Sequence, residues 1–251
     1  MRPDPSGTRP DGVAAAAPPA VPRPAAAAPL LVVCALGAER WALRGGDWTA
    51  GRPAGDGVPA PGAVVAATGM GPDRARRVVT ALLEAGGAYG AVVATGFCAA
   101  AAPGTRPGDA FVAEEVRDGE GTAIEVPSSA LLADALRARG LTVRTGVLHS
   151  ADGVVHGAAA RRALHEAGAA AVDMETAAVL DAVRRAAPGL PYATVRIVVD
   201  TPRHELLRPG TLTGGLRAWR ALRSAVPALT AWHRTAPTDT PPLRTLPQEA
   251  S

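Results

Sequence analysis

Two acidic residues stand beside hydrophobic runs in which charge is costly. Glu175 lies in Ala171-Val172-Asp173-Met174-Glu175-Thr176-Ala177-Ala178, and Asp200 ends Thr194-Val195-Arg196-Ile197-Val198-Val199-Asp200. A carboxylate in such a setting needs a partner or has a chemical role. A third, Glu39, follows Cys34-Ala35-Leu36-Gly37-Ala38. Carboxyl groups gathered in one site can hold hydroxyls, take a proton from water or give one to a leaving group. Each also has a plainer reading by itself. Glu175 is a first-turn helix charge favoured by the macrodipole. Asp200, before Thr201-Pro202, is a turn former, and Glu39 is an ordinary helix-start residue. Arg196, four residues before Asp200 on a strand, shares its face and offers a structural ion pair. Only the joint occurrence of the three carboxylates favours chemistry.

Other chemistries lack their residues. All 26 basic residues are arginine, which removes Schiff-base lysines and the phosphate-loop lysine. Gly69-Met70-Gly71 after a strand invites a dinucleotide fingerprint, but the position that needs the next glycine is Arg74. No Gly-x-Ser-x-Gly elbow is present. His149, His156, His165, His204 and His233 show no metal-ligand spacing, so neither a metal nor a cofactor is expected. The net charge of +3 is mild, and aromatic residues make up only 3% of the chain, against the basic and aromatic clustering of a nucleic-acid binder.

These residues need a scaffold. Residues 1–29 and 234–251 are rich in alanine and proline and are expected to be flexible tails, leaving 30–233 as one domain. The prolines interrupt any signal-peptide core, no run approaches a membrane span, and the cytoplasm is the expected compartment. Cys34 and Cys98 lie in apolar strand-like contexts, which argues against a disulfide framework. Strands are expected at Leu30–Leu36, Val64–Thr68, Ala91–Thr95, Phe111–Val116, Val143–Leu148, Ala170–Val172 and Tyr192–Val199. Helices are expected at Arg74–Glu84, Ala158–Ala167, Glu175–Ala186 and Leu216–Trp232. This alternation predicts an α/β domain with a central mixed sheet flanked by helices. Ligands of such sheets sit beyond the carboxyl ends of the strands. Gly37–Glu39, Thr68–Gly71, Thr95–Gly96 and Asp200 would converge there on one pocket.

Four blocks together resemble the nucleoside phosphorylase / nucleosidase superfamily, which includes purine nucleoside phosphorylases and methylthioadenosine/S-adenosylhomocysteine nucleosidases. They are Cys34–Glu39, Thr95-Gly96-Phe97-Cys98-Ala99 through Pro107-Gly108-Asp109, Asp173-Met174-Glu175, and Arg196 through Asp200. The resemblance implies cleavage of the N-glycosidic bond of a purine nucleoside, with water or phosphate as acceptor. It implies that Glu39 activates the attacking water and that Asp200 passes a proton to the purine N7. Met174 would pack under the ribose and Glu175 would hold its hydroxyls. Val154 and Val155 would grip the base through main-chain groups. Thr95, Gly96, Phe97, Asp173 and Arg196 complete the implied substrate-binding set. Homo-oligomers are common in the family.

The chain departs from that pattern in one direction. Phe97 stands where the nucleosidases carry a small hydroxyl residue, Val154 where an aromatic stacks on the purine, and Val199 where serine often precedes the aspartate. Ala94 stands where phosphorylases place a phosphate-gripping arginine, which favours water, although Arg74 or Arg76 could substitute. This apolar trend, with Asp200-Thr201-Pro202 and the segment Glu205–Gly210, is similar to the hopanoid-associated branch. That branch implies release of adenine from adenosylhopane. A nucleoside- or lipid-binding module without catalysis is the alternative of another class. The helix around Leu216, Trp219, Leu222, Val226 and Leu229 is expected to face the core.

Overall fold

The computed structural model describes residues 28–49, 62–200 and 211–236, the last from residue 214 for side chains. The expected tails, apart from residues 28–29 and 234–236, and the segments Thr201-Pro202 and Glu205–Gly210 lie outside the described residues. Strands β1 (Leu30–Cys34), β2 (Ala63–Ala67), β3 (Ala91–Ala100), β4 (Ala110–Arg117), β5 (Ala123–Glu125), β6 (Val143–Ser150), β7 (Ala169–Asp173) and β8 (Tyr192–Asp200) form one eight-stranded sheet. Helices α1 (Gly37–Arg44), α2 (Pro72–Glu84), α3 (Ser129–Arg137), α4 (Gly157–Glu166), α5 (Thr176–Ala186) and α6 (Thr211–Thr235) flank it. The architecture is the α/β single domain with a mixed sheet that the alternation predicts.

The sheet is parallel where β1 joins β2 and β3, and where β3 joins β8. It turns antiparallel where β4 meets β8 and where the end of β3 meets β7. Strands β3, β8, β4, β6 and β7 thereby pair in a closed circuit, in which the β4–β6 and β6–β7 links are parallel. Side-chain alternation along β1 explains the two-sided core. Leu31 and Val33 join Val79 of α2 and Val179, Leu180 and Val183 of α5. Leu30, Val32 and Cys34 face the opposite layer, with Leu43 of α1, Leu132 and Leu136 of α3, and Leu222, Val226, Leu229 and Trp232 of α6. The core-facing expectation for the last helix therefore holds for Leu222, Val226 and Leu229, whereas Leu216 is 48% exposed.

Three differences from the expected elements have physical causes. β5 is a three-residue strand and α3 a nine-residue helix, and neither is expected from the pattern above. Ala-Ile-Glu is too short to show alternation. In α3 the buried Leu132, Ala133 and Leu136 mark a stripe of barely two turns. β3 does not stop at Thr95 but continues through Gly96, whose φ of +130° only glycine adopts readily. Its partner β8 carries an extra residue there, because Cys98 pairs with Val198 but Ala99 pairs with Asp200. Val199 is thus bulged out of the ladder, and such a bulge re-aims the side chain that follows it.

Candidate active site

Glu39 is placed by the connection from β1 to α1. It occupies the third position of α1 and reaches back over the helix start, so that one carboxylate oxygen satisfies amides the helix leaves free. Its Oε2 accepts from the N–H groups of Ala35 (2.9 Å) and Leu36 (2.7 Å), and its Oε1 from that of Phe97 on β3 (2.7 Å). The side chain is 2% exposed. Burial raises its pKa above the ordinary 4.5, more than the Arg196 charge and the three amides lower it. An anchored carboxyl group with a raised pKa has the basicity a proton acceptor needs. Glycine at 96 makes this contact possible: a Cβ there would lie 2.6 Å from Glu39 Oε1 and 2.9 Å from Arg196 Nη1.

Arg196 lies behind the wall. It is 1% exposed and ties three elements together. Its Nη1 donates to the Thr95 carbonyl (2.8 Å), its Nε and Nη2 donate to Thr176 Oγ1 (3.0 and 2.7 Å), and its Nη2 pairs with Asp173 Oδ2 (2.6 Å). The Thr176 hydroxyl in turn donates to the same Asp173 oxygen. Desolvation works against this guanidinium, but Asp173, Glu175 and Glu39 outweigh it and raise its pKa. Its charge is therefore shared among three carboxylates. The ion pair expected between Arg196 and Asp200 does not form. The Val199 bulge breaks the alternation that would have put the two on one face.

Asp200 instead pairs with Arg161 of α4, Oδ2 to Nη2 at 2.5 Å, the side chains being 7% and 5% exposed. Asp200 Oδ1 and Arg161 Nε and Nη1 are buried without a protein partner. Unpaired buried polar atoms of this kind are costly unless a ligand completes them. Arg161 is the functional candidate that sequence reasoning missed. A signal for it exists. Ala158, Arg161 and Leu164 follow one another at helical spacing on the inner side of α4, where an arginine is out of place.

Glu175 forms the N-cap of α5 without capping it through its side chain. Its Oε1 accepts from Gly71 N–H at 2.9 Å, which fastens the Gly69-Met70-Gly71 turn to the site across the sheet. Gly69 and Gly71 both have positive φ, which leaves the Gly71 amide free to point inward.

These groups surround one cavity of about 380 Å³. Glu39, Asp173, Glu175, Asp200 and Arg161 supply its charged lining, while Leu36, Met70, Phe97, Val154, Met174 and Val199 make most of the rest apolar. Val155 also lines it, but Thr95, Gly96 and Arg196 do not. Thr95 and Arg196 form the layer beneath, and Gly96 lets that layer approach. Met70 and Val154 are 54% and 57% exposed, which marks an apolar edge to the cavity. Neither Arg74 nor Arg76 reaches the cavity lining, and Arg76 pairs with Asp73 and Asp181 instead. No residue of α6 for which side chains are described lines it either. Among the described residues, no three metal-ligating side chains cluster.

A family model described as the phosphorylase superfamily matches residues 58–212. No curated protein matches the sequence. Among solved structures, the fold is similar to futalosine hydrolase of Helicobacter pylori, with a TM-score of 0.68 at 17% identity over 82% of this chain and 98% of that one. It is also similar to 5′-methylthioadenosine/S-adenosylhomocysteine nucleosidase from Neisseria meningitidis in complex with methylthio-immucillin-A. There the TM-score is 0.64 at 19% identity, covering 82% of this chain and 98% of the other. The corresponding Helicobacter pylori nucleosidase, with butyl-thio-DADMe-Immucillin-A, gives 0.62 at 17% identity, covering 83% and 97%.

Proposed function

Because the chain belongs to the phosphorylase superfamily, we propose that this enzyme cleaves the N-glycosidic bond of a purine nucleoside with water as the acceptor. One observation carries the reading: Glu39, Glu175 and Asp200, far apart in sequence, line a single cavity beside Met174. The reaction builds positive charge on the sugar and negative charge on the departing base, as in glycoside hydrolysis. Glu175 holds the ribose hydroxyls and faces the developing cation. Asp200, the anionic partner of Arg161 at rest, takes up a proton from solvent on Oδ1 and delivers it to the base as the C1′–N9 bond breaks and its electron pair leaves with the purine. Arg161 occupies Oδ2, so Oδ1 is the oxygen left for the base. Glu39 takes a proton from the water whose oxygen joins C1′.

Water is favoured over phosphate because the Ala94 position offers no cation, neither Arg74 nor Arg76 lines the cavity, and the arginine that does, Arg161, is already paired with Asp200. The apolar lining from Phe97, Val154 and Val199, with the exposed Met70 and Val154, supports a nucleoside with a large apolar 5′ substituent, for which adenosylhopane is the candidate. Adenine is then the released base, the cytoplasm the compartment and a homo-oligomer the working form. No helix among the described residues is long and apolar enough to cross a membrane.

Incubating the full chain with adenosylhopane and with methylthioadenosine, each with and without phosphate, tests the reading by mass spectrometry of the products. Phosphate-independent release of adenine, faster from adenosylhopane, is expected. Strictly phosphate-dependent formation of a ribose 1-phosphate overturns the choice of water, and binding without base release overturns catalysis.

A further inference from the structure

We infer that α1 and α6 together form a docking face for an anionic lipid surface, beside the mouth of the cavity. Arg40 and Arg44 on α1 and Arg217, Arg220 and Arg223 on α6 are all exposed. Gly37–Arg44 and Thr211–Thr235 hold six arginines and one acidic residue between them, and that residue, Glu39, is buried in the cavity wall. The two helices carry more positive charge than the net +3 of the whole chain, so the remainder is net acidic. The charge here is therefore local and not a general basic bias.

Apolar side chains stand among these arginines. Trp41 is 70% exposed and packs at 5.2 Å between ring centroids on the half-buried Trp219, which also carries Arg223 over its ring at 5.9 Å. This stack joins the exposed stripes of the two helices into one surface. Leu216 (48% exposed) and Leu36 (37%) extend it. An indole projecting into solvent amid guanidinium groups matches the boundary between phospholipid headgroups and acyl chains. Asp47, at the end of the groove between α1 and α6, is the acidic residue lining that groove.

The face adjoins the cavity. Leu36 lines the cavity and accepts the Arg40 N–H at the first turn of α1. A substrate leaving a membrane at this face would reach the site past Leu36. A second copy of this chain fits less well. A two-fold contact sets each patch against itself, and these arginines would face their own copies. The inference stands whichever nucleoside the cavity accepts.

Sedimentation of the full chain with vesicles tests it, using phosphatidylcholine alone or phosphatidylcholine with phosphatidylglycerol. Binding to the phosphatidylglycerol vesicles only, reversed by salt, is expected. Arg40→Gln, Arg44→Gln and Arg220→Gln should each weaken it about fivefold, from the usual worth of a basic residue near such a surface. Trp41→Ala should weaken it further while leaving base release from a water-soluble nucleoside unchanged. That second readout separates failure of the docking face from failure of the proposed reaction. Absence of vesicle binding, or equal binding to both vesicle types, overturns the inference. So does a dimer abolished by Trp41→Asp, or Trp41-dependent binding to duplex DNA without vesicle binding.

Discussion

Arg161 and Asp200 form a buried ion pair at 2.5 Å in the cavity wall, each keeping hydrogen-bonding atoms that no protein group meets. The pair joins the end of β8 to a helix whose one buried residue is this arginine. Its members are not equivalent to a surface bridge, because each leaves the other uncompensated when removed.

Arg161→Met should destabilise the fold by about 3 kcal/mol, the usual cost of stranding one buried charge. The double variant Arg161→Met/Asp200→Asn should recover part of that loss. Urea unfolding of both proteins measures the coupling, and simple additivity would show that the pair does not act as a unit.

Asp200→Asn should lose stability as Arg161→Met does, because it leaves the buried Arg161 uncompensated. The folded protein should still bind nucleoside, but release base about 10²–10⁴-fold more slowly, the usual worth of a general acid. Separate measurement of kcat and KM checks this. A fall confined to KM would make the residue a binding group only.

Burial sets the sign of a pH effect at Glu39. Its folded pKa is raised above 4.5. The stability it contributes is fully present below the unfolded value and is lost as pH rises through the raised folded value. As the proposed base it must be ionised, so the acidic limb of kcat/KM should lie above pH 4.5. Glu39→Gln should abolish turnover. A rate–pH profile whose acidic limb is unchanged in the Gln variant would remove Glu39 from the mechanism.

Gly96→Ala should be disruptive out of proportion to one methyl group. The added Cβ meets Glu39 and Arg196 at contact distances no side chain tolerates, and the backbone holds φ +130°. Strain of this kind costs about 1–3 kcal/mol before any repacking. Thermal unfolding and base release should both decline, and a variant with wild-type values would mean that β3 can relax at this point.

The carboxylates were legible because each interrupts an apolar run: Glu39 after β1, Glu175 after β7 and Asp200 at the end of β8. Their gathering also followed from the rule that sites lie past strand ends. Arg161 escapes notice among the chain's many arginines: its helical spacing with Ala158 and Leu164 is a signal, but only the packing of α4 shows that this stripe faces inward. The expected Arg196–Asp200 pair failed because periodicity along one strand cannot reveal a bulge in the ladder with its neighbour. Similarly, Thr68–Gly71 is expected at the pocket from its place at a strand end, but residue types could not reveal that the Gly71 amide is what Glu175 holds.

The sequence by itself determined the α/β alternation, the two-sided burial of β1 and the positions at which charge would stand at strand ends. These are local properties, written in side-chain period and in residue type. Tertiary structure alone decided which charge faces which. Arg196 neutralises Asp173 beneath the wall, and Arg161 crosses from α4 to Asp200, because the Val199 bulge turns the end of β8 away from its own strand's arginine. Pairings across a sheet depend on register and bulges between distant segments, and one segment's pattern does not encode them.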